Sequence, residues 1–390
     1  MLKQWSRGVG RCALAAIAMG WCAGTAQAQV GLDRAIFEEL NLNLYSVQRI
    51  SIEMDVDSYV RANMVLDGKP TQMSLFRHSM RGPDMQVLAV DEDGVEHLVE
   101  PGPMRTYRGM LSGFRGAKVA ASVTDAGQIE AWIRLPHEVW VVQPLSDAVP
   151  GADPDLHVVY RTTEVLPTDH TCGVVDEPGG HGHPHVPGQP SLGGGLQVAE
   201  ISFDADTEYY TLNGSSVPAT VADIESVMNA VDMIYNTELG LGFEFGTFIV
   251  RTGPDPYTTT DYSLLLSQFQ NEWTTNQAGI VRDVAHLFTG RDLDGTVIGV
   301  AFFDGVCDFD LGYGLSQSRY TNTFANRVAL TSHELGHNYD ATHCNGDGDC
   351  AIMCSGIGGC TGILDMFGNS ATAEINAYVN SIGCLEEGGI

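Results

Sequence analysis

The stretch 333–343 reads HELGHNYDATH and holds three histidines and one glutamate. His333 and His337 are four residues apart, so a helix places both imidazoles on one face, about one turn apart. Two imidazoles at that spacing can share one tetrahedral zinc ion, with Glu334 beside it to act on a water molecule. A third histidine, His343, can reach the same ion only if the chain leaves the helix and turns back. The stretch therefore predicts a three-histidine zinc site.

Asp340 stands where the chain has to turn out of this helix. The turn requires a left-handed backbone or a tight bend, which glycine adopts at no steric cost and which aspartate tolerates better than most side chains. The expected strain is on the order of 1 kcal/mol. In the alternative, the helix runs on past Asp340 and carries His343 away from the metal. We expect the turn, with Asp340 as a tolerated variant of glycine.

These residues resemble the metzincin zinc peptidases, and His-Glu-Leu-Gly-His-Asn is most similar to the adamalysin/reprolysin branch, which has glycine at the position of Asp340. The similarity covers residues 196–385. It implies one zinc ion bound by the three histidines, with Glu334 as general base and acid. It also implies a methionine turn under the metal at Met353, although Cys350-Ala351-Ile352-Met353 is one residue longer than the usual Cys-x-Met.

Cysteines are concentrated near the C-terminus, and an exported chain would oxidise them. Six of them can form three disulfides in fifteen possible connectivities. The six are Cys307, Cys344, Cys350, Cys354, Cys360 and Cys384. The family resemblance implies a Cys307–Cys384 disulfide, and the pairing of the other four stays open.

An odd cysteine, Cys172, precedes a segment rich in proline and glycine. In the family that the chain resembles, a prodomain often inhibits the enzyme through one cysteine, and a thiolate is a good zinc ligand. We therefore expect Cys172 to act as a zymogen switch, and the alternative is a buried or disulfide-exchanging thiol. No lysine or arginine lies between Arg161 and Arg251, which predicts autocatalytic processing or cleavage by a protease that does not require a basic residue.

Composition divides the chain into four parts. Residues 1–28 have a basic start, a short apolar core and Ala26-Gln27-Ala28, which predicts a secretory signal peptide. Residues 29–175 are rich in strand patterns, and 119–124 and 129–134 flank a turn as a hairpin would. We interpret this part as a β-rich inhibitory prodomain. Residues 176–195 are a Pro/Gly/His linker, and 196–390 are the zinc metallopeptidase catalytic domain.

The C-terminal part has the alternating patterns of an α/β (α+β) fold. Buried strands are expected over 198–203, 243–250 and 296–302, and helices over 220–237, 262–273, 327–338 and 371–382. The metzincin-like architecture that the resemblance implies is a twisted, mostly parallel sheet with long helices. A small disulfide-bonded lower subdomain should contain Met353.

The formal net charge of -29 argues against nucleic acid or anionic membranes as partners. No segment after the signal is apolar enough to span a membrane, so the protein is expected to be secreted, or periplasmic in a Gram-negative bacterium. Three further patterns are weak indications of metal binding. They are the tract HGHPH at 181–185, a loop at 345–349 that resembles part of a calcium site, and Glu374 as an alternative zinc ligand. His286, on a predicted strand edge, is interpreted as structural.

The leading hypothesis is a secreted zinc endopeptidase made as a latent precursor, with proteins or peptides as substrates and its own prodomain as inhibitor. The rival class is a non-catalytic zinc-binding or adhesive protein that retains the metzincin fold. Loss of Glu334 or of a histidine would favour it, and none is lost. A zinc hydrolase acting on a non-peptide amide is a second alternative.

Overall fold

The computed structural model describes residues 19–54, 59–174 and 195–388, with side chains from residue 30 onward. The tract HGHPH, most of the predicted linker and residues 1–18 of the predicted signal peptide lie outside the described residues. The predicted cleavage position after Ala28 falls inside the first helix, α1, which spans Met19–Leu40.

The strands alternate with the remaining helices only in the C-terminal half. In chain order they are β1 (Ser46–Arg49), β2 (Ile52–Met54), β3 (Tyr59–Leu66), β4 (Lys69–Arg77), β5 (Arg81–Val90), β6 (Glu96–Val99), β7 (Thr106–Leu111), β8 (Lys118–Val123), β9 (Ile129–Arg134), β10 (Val139–Pro144), β11 (Leu156–Arg161), β12 (Thr171–Cys172), β13 (Gln197–Ala205), β14 (Leu241–Arg251), β15 (Val284–Phe288), β16 (Val297–Ala301), β17 (Tyr313–Ser316) and β18 (Glu386–Glu387). The helices after α1 are α2 (Thr207–Leu212), α3 (Val217–Leu239), α4 (Tyr262–Thr275), α5 (Phe324–Asn338) and α6 (Asn369–Val379).

The first sheet is built from the N-terminal half in the order β1-β11-β10-β9-β8-β7-β4-β3-β2. All of its pairings are antiparallel. The predicted hairpin is present as β8 and β9, with Val119 opposite Ile133 and Val123 opposite Ile129. Alternating burial along β3 shows why this sequence forms a strand, since every second side chain faces the core.

The second sheet follows the order β12-β16-β17-β15-β13-β14-β5-β6, and β18 pairs with β13. The central strands β17, β15, β13 and β14 are parallel to one another. The strand β16 is antiparallel to β17. Its other side holds the two-residue strand β12 in parallel orientation.

Besides β12, two more strands of the N-terminal half belong to this second sheet. The strand β5 pairs in parallel with β14, with Val87 opposite Phe248 and Ala89 opposite Val250, and β6 pairs with β5. The strand patterns indicated a β-rich N-terminal part but not this exchange. The exchange depends on a contact between distant segments, because β5 pairs with backbone groups at the edge of β14 that would otherwise be unpaired.

Helix α3 lies between the two sheets and is buried on both sides. Its sequence pattern indicates one apolar face, and residues such as Val227 and Val231 do lie in the core. The opposite face is also buried: Asn229 and Asp232 contact the first sheet, and Glu225 pairs with Arg81 of β5. The Asn229 side-chain amide donates to the carbonyl of Ala121 at 2.9 Å. Helix α3 therefore joins both halves into one core.

Three disulfides stabilise the C-terminal region. They are Cys307–Cys384, Cys344–Cys350 and Cys354–Cys360. The pairing that the family resemblance implied is present, and the four cysteines left open pair with near neighbours around Met353. Among the described residues, no helix is both long and apolar enough to cross a membrane.

Candidate metal centre

Helix α5 carries the first two histidines and is buried along its length. It ends at Asn338, and the Ala341 amide donates to the Gly336 carbonyl at 2.9 Å. Asp340 has a φ of 68°, the left-handed conformation that the sequence predicted for this turn. Because the chain reverses here, His343 returns to the face of the helix that carries His333.

The three imidazoles converge on one point. The Nε2 atom of His333 lies 3.0 Å from that of His337 and 3.2 Å from that of His343. In a tetrahedral site with Zn–N distances of 2.0–2.1 Å, ligand nitrogens are about 3.3 Å apart. The donor set and its spacing therefore fit a zinc ion.

The second ring nitrogens fix the tautomers that zinc requires. The Nδ1 atom of His333 is 2.7 Å from the Ile352 carbonyl oxygen, and that of His337 is 2.7 Å from the Ala341 carbonyl oxygen. An imidazole that donates from Nδ1 keeps a lone pair on Nε2 for the metal. Burial, with His343 nearby, lowers the pKa of His333 to about 3, so its ring is neutral at physiological pH.

Glu334 is fully buried beside these rings. Burial raises the pKa of its carboxyl group above the ordinary value. One of its oxygens, Oε1, has no hydrogen-bond partner among the described residues. A Cβ atom on Gly299 of β16 would lie 2.4 Å from that oxygen. Gly299 thus leaves room for the carboxylate, and a glycine inside a strand pattern is the sequence signal that indicates such a close approach.

Cys172 approaches the centre from the N-terminal half. Its Sγ atom is 3.5 Å from His337 Nε2 and 3.4 Å from Glu334 Oε2. With a Zn–S distance of about 2.3 Å, a sulfur and a nitrogen ligand would be about 3.6 Å apart. The sulfur and the three histidine nitrogens all lie within 4.8 Å of one another. The four atoms are therefore close enough to share one metal ion.

The segment around Cys172 is held as an extended strand on both sides. The amides of Thr171 and Gly173 donate to the carbonyls of Thr296 and Gly299, each at 2.8 Å. On the opposite side, the Cys172 amide donates to the Ser355 carbonyl at 2.9 Å. The chain on either side of the thiol is therefore bound by the backbone, as an extended peptide ligand would be.

Met353 lies under the histidines and is fully buried. A Cβ atom on Gly336 of α5 would lie 2.7 Å from the Met353 sulfur. The thioether contacts the helix between the two histidines.

Three residues that support the site were not identified from the sequence. The Asn338 side-chain amide donates to the carbonyls of Phe302 and Tyr313 at 2.9 and 3.0 Å, which ties the end of α5 to the sheet. The ring of Phe303 packs edge-on against His337, with 5.0 Å between centroids. Neither contact has a local sequence signal, because each joins segments that are distant in the chain.

Asp304 is the third supporting residue that was not identified from the sequence. It is buried, and neither of its carboxylate oxygens has a hydrogen-bond partner among the described residues. Burial, followed by the contact with Asp304, raises the pKa of Asp340 to about 8. The turn that returns His343 therefore contains a protonated carboxyl group at neutral pH.

The weaker sequence signals lie outside the centre. Glu374 accepts hydrogen bonds from the amide and hydroxyl of Thr342 at 2.8 and 3.0 Å, so it holds the chain next to His343. Asp349 accepts a hydrogen bond at 3.2 Å from the amide of Asn369 at the start of α6. His286 was expected on a strand edge, and this is wrong, because β15 lies between β13 and β17. Its Nε2 is 2.9 Å from Ser316 Oγ.

The α/β domain and its three-histidine centre define the class as a zinc-peptidase-like metalloprotein. Residues 196–378 match the reprolysin family model described as metallo-peptidase family M12, so this part of the chain is a reprolysin-like metallopeptidase domain. Two human proteins are similar to this chain in sequence. Disintegrin and metalloproteinase domain-containing protein 33 is 24% identical over 343 residues, covering 77% of this chain and 41% of the relative. Disintegrin and metalloproteinase domain-containing protein 19 is 26% identical over 274 residues, covering 63% of this chain and 27% of the relative. The chain thus spans less than half of either relative.

Proposed function

We propose that this protein is a zinc-dependent endopeptidase made as a latent precursor, with proteins or peptides as substrates. The observation that carries the proposal is the group of three histidine nitrogens, Glu334 and the Cys172 sulfur around one point. The match of the C-terminal part to the model of family M12 supports the same reaction class. His333, His337 and His343 would hold the zinc ion.

The residues of the chain have distinct tasks in this reaction. Zinc, when bound, supplies a Lewis acid that polarises the scissile carbonyl group and lowers the pKa of water. Glu334 takes the proton from the attacking water and delivers it to the leaving nitrogen of the cleaved peptide bond. Glu334 is fully buried beside the histidines, so it can take up and release this proton within the site. The edge of β16 and residues 355–357 bind the peptide backbone in an extended form.

Latency follows from the position of Cys172. Its sulfur would take the fourth ligand position, where the water would otherwise bind, and its flanking backbone would fill the position of the substrate strand. We assign residues 29–175 to the inhibitory prodomain, 176–195 to the linker that is cut on activation, and 196–390 to the catalytic domain. Residues 1–28 are the proposed export signal, which makes the protein secreted or periplasmic.

A peptide-digestion assay tests the reaction. The processed protein should digest casein, lose activity with a chelator and regain it with zinc. Glu334→Ala should lower kcat by about 10²–10⁴-fold, the range typical of a general acid–base group, because the proton transfer then lacks its carboxylate. Zinc content should stay at the parent level, since Glu334 is not a ligand. Activity that survives Glu334→Ala would refute this mechanism.

The switch has a separate test in the uncleaved precursor. Cys172→Ser replaces the thiol by a poorer zinc ligand, so peptide hydrolysis by the intact precursor should rise by at least about tenfold. Thr171→Ser is the matched control, because it keeps both the thiol and the backbone pairing, and it should stay latent. A Cys172→Ser precursor as inactive as the parent would exclude the switch.

A non-catalytic protein that retains the fold is the second candidate. It predicts zinc binding without hydrolysis of any peptide after processing. The chelator-reversible digestion assay separates the two, because the non-catalytic candidate gives no digestion with zinc restored.

A further inference from the structure

Two aspartates meet beside the end of helix α5. Asp304, in the loop after β16, and Asp340 both have a left-handed backbone, with φ of 55° and 68°. The amides of Gly305 and Val306 donate to the Asn338 carbonyl at 2.9 and 3.1 Å, which holds this loop against the end of the helix. The carboxyl groups of Asp304 and Asp340 are therefore close enough to share one hydrogen bond.

The carboxyl group of Asp304 is buried without a donor. Its exposed fraction is 5%, and neither of its oxygens has a hydrogen-bond partner among the described residues. Burying a carboxylate is strongly unfavourable unless a donor or a positive charge accompanies it. The side chain is directed at Asp340, which is half-buried and acidic as well. The pair therefore needs a positive partner that these two residues do not supply.

The groups around this pair add negative charge. Burial, the contact with Asp304 and the charge of Glu374 together raise the pKa of Asp340. Burial and the charges of Asp304, Asp308 and Asp340 raise the pKa of Tyr378 in α6. The charges that act most strongly on Asp340 and Tyr378 are thus all acidic, and the region attracts cations.

The basic side chains of the C-terminal half are engaged elsewhere. Residues 196–390 contain five arginines and no lysine. Arg282 donates to the Ile280 carbonyl and to the Tyr313 hydroxyl. Each of the other four pairs with an acid outside the Asp304–Asp340 pair, and they are Arg251, Arg291, Arg319 and Arg327. A proton, or a cation from solution that replaces it, is what remains to neutralise the two carboxyl groups.

We propose that Asp304 and Asp340 bind a calcium ion, which joins the loop after β16 to the turn that leads to His343. Calcium prefers oxygen ligands and accepts irregular shells that water and carbonyl oxygens complete. Because Asp340 is half-buried, an ion can enter from solvent. The branch that the chain resembles has glycine at this position, so the pair is a feature of this chain. The site is separate from the three-histidine centre and does not depend on the proposed peptidase reaction.

Equilibrium dialysis with radioactive calcium measures this site in the intact precursor. At about 1 mM free calcium, the range of extracellular calcium sites, the parent should bind one more ion per chain than Asp304→Asn or Asp340→Asn. Asparagine removes the charge and tolerates the left-handed backbone. Asp292→Asn, at an exposed acid, is the matched control and should bind as much calcium as the parent. Equal calcium in the parent and in both pair variants would overturn the proposal and leave a shared proton between the carboxyl groups.

Thermal unfolding gives a second readout. Added calcium should raise the Tm of the parent by at least about 2 °C more than that of Asp304→Asn, because an ion that binds only the folded state stabilises it. If Asp304→Asn does not fold, Asp340→Asn carries the comparison, since its side chain is half-buried. An equal Tm shift in the parent and in the variant would contradict the proposal. Neither measurement uses peptide digestion, so the proposed function and this site can fail separately.

Terbium(III), which replaces calcium at oxygen sites, locates the ion. Excitation of tyrosine should sensitise its emission, because Tyr378 lies near the pair. Tyr378→Phe should lose at least half of the emission that depends on Asp304 and should still bind calcium, since both carboxyl groups remain. Emission from Tyr378→Phe equal to that of the parent would place the ion elsewhere and contradict the assignment.

Discussion

Single residues decide whether the third histidine reaches the metal. Asp340 has a φ of 68°, and only a reversal at this residue lets His343 approach within 3.2 Å of His333. Aspartate tolerates this conformation at a cost on the order of 1 kcal/mol relative to glycine. The contact with buried Asp304 adds a second feature, because it keeps a proton on the turn at neutral pH.

Asp340→Gly should therefore retain zinc and raise the free energy of unfolding by on the order of 1 kcal/mol, since it removes the strain. Thermal unfolding measures the change in stability, and the zinc content of the purified variant shows whether the metal is retained. Asp340→Asn, which tolerates the same backbone, should resemble the parent, and Asp340→Val should be destabilised because β-branched residues disfavour positive φ. Loss of zinc from Asp340→Gly would mean that the pairing with Asp304, rather than the backbone, positions His343.

At the scale of elements, the site depends on how closely α5 approaches its neighbours. Gly299 lets β16 pass next to Glu334, and Gly336 lets the helix rest on Met353. The helix was predictable from the spacing of its histidines, whereas these contacts were not, because they depend on side chains from other segments. The HExxH pattern indicates which residues face the metal, and packing decides how precisely they are held there.

Gly336→Ala tests this packing. Its Cβ would lie 2.7 Å from the Met353 sulfur and 3.3 Å from a carbon of Phe367, so overpacking should cost about 1–3 kcal/mol. The gain in helix propensity offsets about 1 kcal/mol of this. Denaturant unfolding should show a net loss, with weaker zinc retention in competition with a chelator. Gly31→Ala in α1 meets no atom within 4 Å and is the control for propensity alone. Equal stabilisation by Gly336→Ala and Gly31→Ala would show that the Met353 side chain moves away from the helix at no cost in free energy.

At the scale of the whole molecule, the two halves are one packed body. The strand β5 extends the C-terminal sheet, and three arginines of the N-terminal half, Arg81, Arg108 and Arg134, each pair with an acidic residue of α3. Release of the N-terminal half therefore has to break strand pairing and ion pairs as well as the contact of Cys172 with the histidines. The linker composition indicated a severable join, but not the extent of this interface.

The interface also contains buried acids. Burial, with Asp147 nearby, raises the pKa of Glu130 to about 7, and burial raises that of Asp147 to about 6. Glu130 accepts a hydrogen bond from Ser226 of α3 at 2.6 Å. Although burial opposes it, Arg319 and Arg327 lower the pKa of neighbouring Asp223 to about 2, so these arginines are already engaged. Because burial raises both pKa values, Glu130 and Asp147 favour the folded precursor most when they are protonated.

The precursor should lose stability as pH rises from about 4 to 7. Both folded-state pKa values exceed the ordinary carboxyl values, so the folded state binds more protons in this range, and each group contributes a slope of up to about 1.4 kcal/mol per pH unit. Urea unfolding of the precursor at pH 5 and pH 7.5 measures this. Glu130→Gln should flatten the dependence, and Glu53→Gln on the exposed strand β2 should not. A parent precursor that is more stable at pH 7.5 than at pH 5 would contradict the predicted direction of the pH dependence.

The sequence by itself determined the local features of the site: the helix that ends at Asn338, the two histidines on one face, the left-handed Asp340 and the C-terminal cluster of cysteines. These follow from spacing and backbone preference within a few residues. The family resemblance suggested a role for Cys172, but only the tertiary structure decided that its sulfur contacts Glu334 across 162 residues and that β5 completes the sheet of the other half. Such features arise from contacts between distant segments, whose free energy depends on the packed fold and leaves no pattern in the local sequence.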